Sequence, residues 1–225
     1  MSYLIGVMGE SGHGKSTSLR NLDPKTTFII DADRKGLPFR GWRKMYNKER
    51  KNYVQTSDND AIVKCLNVIN KGEEFKHIRT VVIDTVNAVM IDAEMVKMKE
   101  KGYDKWSELA QDIWEILSNC LGMRQDLCII CMFHSEDIQD DNGSHHYRIK
   151  TAGRKLQKIQ LETRFPVLLF SKCEGGKYFF ETQSNFSTAK SPMELFKEMR
   201  IENDLKFVID ELERYENEEI QKFPL

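Results

Sequence analysis

Nine consecutive residues near the start of the chain, Gly9, Glu10, Ser11, Gly12, His13, Gly14, Lys15, Ser16 and Thr17, fit the spacing G-x-x-x-x-G-K-[ST]. Chemistry with a polyphosphate asks for these types in this order. Glycines let the backbone turn several N–H dipoles toward one anionic centre. Lys15 adds a cation for the terminal phosphates, Ser16 offers a hydroxyl to Mg²⁺, and a following helix would present its positive end to the same anion. All nine are therefore candidate nucleotide-binding residues.

Two more stretches carry matching chemistry. Arg79-Thr80-Val81-Val82-Ile83-Asp84-Thr85 ends a β-prone run with a carboxylate. An acid there can hold Mg²⁺ directly or through water and complete a clamp begun by Ser16. Phe28-Ile29-Ile30-Asp31-Ala32-Asp33 ends a second run with two acids, which are either beside the nucleotide or simply a solvated strand end. Leu127 to Phe133 is the most apolar run, and His134 stands after it. His134 is either a sensor of the terminal phosphate or a histidine bonded to a loop carbonyl.

These groups need a sheet whose strands deliver them to one end. Tyr3-Leu4-Ile5-Gly6-Val7-Met8 reads as a buried strand leading into the glycine-rich loop, and Ser16 to Asn21 as the start of a helix. Asp60 to Lys71, Val89 to Met98 and Trp106 to Leu121 have helical spacing, with Asp60 as the first one's cap and core-facing stripes in the others. Residues 136–150 read as a hairpin turning at Asn142-Gly143, with one acidic and one basic arm. Pro166 to Phe170 and Lys177 to Thr182 are late strands, and Ser191-Pro192-Met193-Glu194 has the pattern of a helix start.

The chain has 225 residues, 40% hydrophobic and 31% charged, enough for one sizeable core. Residues 1–200 are expected to form it, with 201–225 as an acidic terminal helix and tail. A net charge of −1 gives no global field toward nucleic acid or membrane, so only local patches can argue for either. The absence of a long apolar run predicts no membrane association and a cytoplasmic protein. Cys128 and Cys131 are spaced three apart inside an apolar strand, so they face opposite sides and cannot share a metal; buried free thiols are expected. Residues 34–51 carry eight Lys or Arg against Glu49, with Phe39, Trp42 and Tyr46 interleaved. That pattern suits either a single-stranded nucleic acid or a solvated helix whose aromatics dock on the core.

The order of these elements resembles the RecA-type recombinase core, most closely the short phage-encoded RecA-like ATPases that include ATP-dependent single-strand annealing proteins. The resemblance implies a P-loop NTPase of RecA-like type: α/β, with a mainly parallel central sheet flanked by helices and late antiparallel strands. It implies ATP with Mg²⁺, held by the loop and by Ser16 and Asp84. Lys15, Asp33 and His134 would be catalytic: Asp33 where the class keeps the carboxylate that activates water, His134 where it keeps a γ-phosphate sensor. Arg154 and Lys155 fall near where such subunits offer a cation to a neighbour's nucleotide. The implied partners are single-stranded DNA, further copies of the chain in a ring or filament, and a phage single-strand-binding protein. The implied activity is slow, DNA-stimulated ATP hydrolysis in the host cytoplasm. A small-molecule kinase and a non-hydrolysing ATP switch are the alternatives.

Overall fold

A computed structural model describes residues 2–97, 104–139, 143–152 and 154–217. Six of its strands run parallel, and their sequences explain why. β1 (Tyr3–Gly9), β2 (Thr27–Asp31), β4 (Thr80–Asp84) and the first half of β5 (Cys128–Gln139) are nearly continuous apolar runs. Such runs suit strands covered on both faces. With β3 (Tyr53–Val54), β6 (His145–Ile149), β7 (Val167–Glu174), β8 (Lys177–Glu181) and β9 (Arg200–Glu202) they form one sheet in the order β3-β2-β4-β5-β1-β7-β8-β9, with β6 paired to β5. The pairings from β3 across to β7 are parallel; β6, β8 and β9 pair antiparallel. The fold class is the one expected, α/β with a mostly parallel centre and late antiparallel strands.

Helices cover both faces. Of these, α1 is Trp42–Met45, α2 Asn59–Lys71, α3 Val86–Lys97, α4 Asp104–Leu121, α5 Arg154–Ile159 and α6 Leu205–Asn217. Ile62, Leu66 and Ile69 of α2, Val89 and Met90 of α3, and Leu109, Ile113 and Leu117 of α4 pack on one face with Leu4, Ile83 and Phe133. The opposite face gathers Ile5, Val7, Ile130 and Leu169 under Leu19, Leu22, Tyr46 and the apolar stripe of α6. The acidic terminal helix thus lies on the sheet through Leu205, Val208, Ile209 and Leu212, and residues 218–225 lie outside the described residues. Cys128 and Cys131 sit in opposite clusters, as their spacing requires. Among the described residues no helix is long and apolar enough to cross a membrane.

Three local expectations give way. Ser16–Asn21 is a 3₁₀ helix of six residues, because Ser, Thr and Asn hold a helix weakly and Pro24 stops it. Asp58, not Asp60, caps α2, accepting from the Ala61 amide at 2.8 Å. No helix starts at Ser191: Lys190 makes a paired backbone bridge to Leu168, and Glu194 takes φ +67°. A long-range bridge outweighs the local signature. The tight turn placed at Asn142-Gly143 falls partly outside the described residues; Gly143 itself has φ +81°.

Asp31, one of the two candidate acids, turns out to tie the fold together. It is 1% exposed, and its Oδ2 accepts from the Gly36 amide at 2.8 Å, the Tyr53 hydroxyl at 2.5 Å and Gln55 Nε2 at 3.0 Å. These bonds join β2, β3 and the loop after β2. Asp31→Ala is expected to cost about 2–4 kcal/mol, since buried donors then lose a charged acceptor. Urea unfolding checks this through a lower midpoint at unchanged slope.

Candidate nucleotide site

Strand register assembles the site. Gly9 lies beside His134 across β1 and β5, and Asp31 lies beside Asp84 across β2 and β4. All four strands are parallel, so the glycine-rich loop, Asp33, Asp84 and His134 meet at their carboxyl ends, where open α/β sheets bind ligands.

Within the loop, Gly12 and Gly14 take φ of +82° and +90°, a region that L side chains rarely enter. Gly9 has a different reason to be glycine: a Cβ there would come within 2.6 Å of the Ser171 carbonyl oxygen. Ser171 on β7 braces the loop further by donating its hydroxyl to the His13 carbonyl at 2.6 Å. Asn203, just before α6, donates to that same hydroxyl oxygen at 3.1 Å. Sequence reasoning missed both, because single polar residues so far apart leave no periodic signal. The short 3₁₀ helix supplies little dipole, so the loop amides and Lys15 must carry the attraction for an anion.

Lys15 is 6% exposed, and its ammonium donates to the Gly9 and Glu10 carbonyls at 2.8 and 2.9 Å. Burial pulls it down to about 8, opposed by Asp84 and reinforced by Lys35. Ser16 donates its hydroxyl to Asp84 Oδ2 at 2.5 Å. The other oxygen of that carboxylate is buried without a partner, and burial pushes the Asp84 carboxyl up. A hydroxyl and a half-satisfied carboxylate side by side fit a hard divalent cation. Asp33 accepts from Thr85 Oγ1 at 3.1 Å and pairs with Lys35.

His134 is half-buried, and burial, with Lys15 next, holds its imidazole below the usual 6.5, so it is neutral at pH 7. Its backbone is pinned by a residue that the sequence did not single out. Asn87, 5% exposed on α3, accepts from the His134 amide at 2.7 Å and donates to the Lys150 carbonyl at 2.7 Å. The Lys150 amide in turn donates to the His134 carbonyl at 2.8 Å.

A family model described as an AAA domain matches residues 1–193. The chain belongs to that family. No curated protein matches it. In this AAA domain the phosphate loop, Ser16, Asp84, Asp33 and His134 share one site, and Asn203, ten residues beyond the matched region, still braces the loop. Other expected contributors stand elsewhere or fall outside the description. Arg154 and Lys155 open α5, and their side chains are outside the described residues. In the basic segment Tyr46 is fully buried and Trp42 packs on Tyr53 at 5.4 Å, while Phe39 rests on the same cluster. The aromatics of this segment therefore serve the core of the AAA domain, and Arg40, Lys44, Lys48 and Arg50 remain exposed around them.

The Lys15 environment has a sign that can be measured. Its pKa in the fold lies below the value of 10.5 that applies in the unfolded chain. The folded form therefore binds fewer protons between about 8 and 10.5, so stability rises with pH across that window. Phosphate affinity runs the other way, falling about tenfold per pH unit above 8 until the pKa of the complex is reached. Titrating ADP between pH 7 and 10 should show this slope, with a flat profile for Lys15→Arg.

Proposed function

We propose that this AAA domain is a RecA-like ATPase that binds ATP with Mg²⁺, hydrolyses it slowly and couples nucleotide state to assembly on single-stranded DNA. The observation that carries the reading is the convergence of Lys15, the Ser16–Asp84 pair, Asp33 and His134 at one end of the parallel sheet. Lys15 and the loop amides hold the phosphates, and Ser16 and Asp84 hold the metal. When bound, Mg²⁺ offsets charge that develops on the transferred phosphoryl oxygens. Asp33 orients the attacking water and takes its proton, and neutral His134 donates a hydrogen bond at the γ-phosphate. Arg154 or Lys155 of a neighbouring copy completes the site in a ring or filament.

Two exposed features support the DNA reading. The 34–51 segment leaves Arg40, Lys44, Lys48 and Arg50 exposed, and the β5–β6 hairpin begins at His134, beside the phosphate loop. With the aromatics turned inward, that segment suits phosphate contacts without base stacking, which makes binding salt-dependent and indifferent to sequence. The biological setting inferred is phage recombination or strand annealing in the host cytoplasm, beside a single-strand-binding protein.

ATP turnover measured with and without single-stranded DNA tests the reading. DNA is expected to stimulate turnover, and Lys15→Ala to lower it by about 10²-fold or more. Turnover indifferent to DNA, with no DNA binding in the presence of an ATP analogue, would sink the DNA reading and move the search to small-molecule acceptors. DNA binding that responds to ATP without turnover would identify a switch.

A further inference from the structure

Lys35 has no place in the phosphate-loop pattern, yet the chain is shaped to bring it to the site. Arg34 and Gly36 on either side take φ of +56° and +77°. Gly36 is anchored by its amide to Asp31, and a Cβ on it would meet the Trp42 ring at 2.5 Å. Between these two left-handed residues Lys35 turns back and pairs its ammonium with Asp33 Oδ2. The other Asp33 oxygen is taken by Thr85. Both oxygens of the proposed water-activating carboxylate are thus engaged within the chain. Lys35 itself is half exposed on a flexible stem, while Asp33 is held at 17% exposure. Its charge also acts on Lys15, Asp84 and His134, which places it among the groups that surround a terminal phosphate.

We propose that Lys35 is a cation supplied by the same chain for the γ-phosphate, stored on Asp33 until ATP binds and handed over to the phosphate oxygens as the site fills. This rests on the ATPase reading above. The transfer does two things at once. It places positive charge where the γ-phosphoryl oxygens gain it, and it frees Asp33 Oδ2 to accept a proton. Water then forms the new O–Pγ bond as its proton passes to Asp33, and the bond from Pγ to the bridging oxygen breaks with its electron pair leaving on ADP. ADP has no γ-phosphate to compete for the ammonium, so Lys35 returns to Asp33. The site thereby distinguishes ATP from ADP within one chain.

The test compares the wild-type chain with Lys35→Met, Lys35→Gln and Lys35→Arg, measuring affinities for ADP and ATPγS together with kcat and KM for ATP. For Met and Gln the expectation is ADP affinity within about twofold of wild type and ATPγS affinity about tenfold weaker. Turnover should fall about 10²-fold with a smaller change in KM. Arg should restore most of the ATPγS preference, because it too carries a permanent cation. A Met or Gln variant that keeps the wild-type ATPγS-to-ADP preference overturns the proposal. So does one whose turnover is unchanged or raised, which would make Lys35 a restraint on Asp33 and nothing more. ADP binding by the variants shows that they are folded. If the wild-type chain itself binds neither nucleotide, the ATPase reading falls first, and the two failures stay distinct.

Discussion

A lysine must be taken out of water to meet a phosphate, and much of this molecule is arranged around that cost. Lys15 is buried against two carbonyls of its own loop, which replace the water it has lost. The loop can present those carbonyls only if it curls tightly, and the curl rests on supports from three directions. Gly12 and Gly14 permit the turn, β7 closes in on Gly9, and the Ser171 hydroxyl holds the His13 carbonyl from outside. Asn203 then fixes that hydroxyl from the segment that leads into α6. An anion entering the loop meets donors already in place, so little reorganisation is needed.

The same economy governs the carboxylates. Three aspartates lie close together at the ends of β2 and β4, which would be unfavourable if all were bare. Each has a different answer. Asp31 gathers three donors on one oxygen, from Gly36, Tyr53 and Gln55, and has become structural. Asp33 is balanced by a lysine two residues away. Asp84 keeps an open oxygen beside the loop serine, which its other oxygen touches. Three similar residues in the sequence are separated into three roles by what surrounds them.

The sheet and the loop were legible in the sequence because each follows a short-range rule. Apolar runs give buried strands, and glycine spacing gives the turn. Asp84 could be placed because a strand end is a definite location once the strands are known, whereas β5 runs on past His134 to Gln139. Asn87, Ser171 and Asn203 could not, since their roles depend on register between segments up to about 160 residues apart. The misread helix at Ser191 failed for the complementary reason: its local pattern was sound, and a bridge to β7 overrode it. The aromatics of residues 34–51 could have faced bases or the core, and only their packing decides between the two.

The Asn87 clamp makes His134 and Lys150 move as one piece of backbone. Beyond the clamp β5 continues unbroken for five residues, Ser135 to Gln139, with β6 alongside. At about 3.3 Å per residue this is a ribbon roughly 16 Å long, mounted at its base beside Gly9 of the phosphate loop. A ribbon of that shape works as a pointer: a small tilt at the pivot becomes a displacement several times larger at the tip.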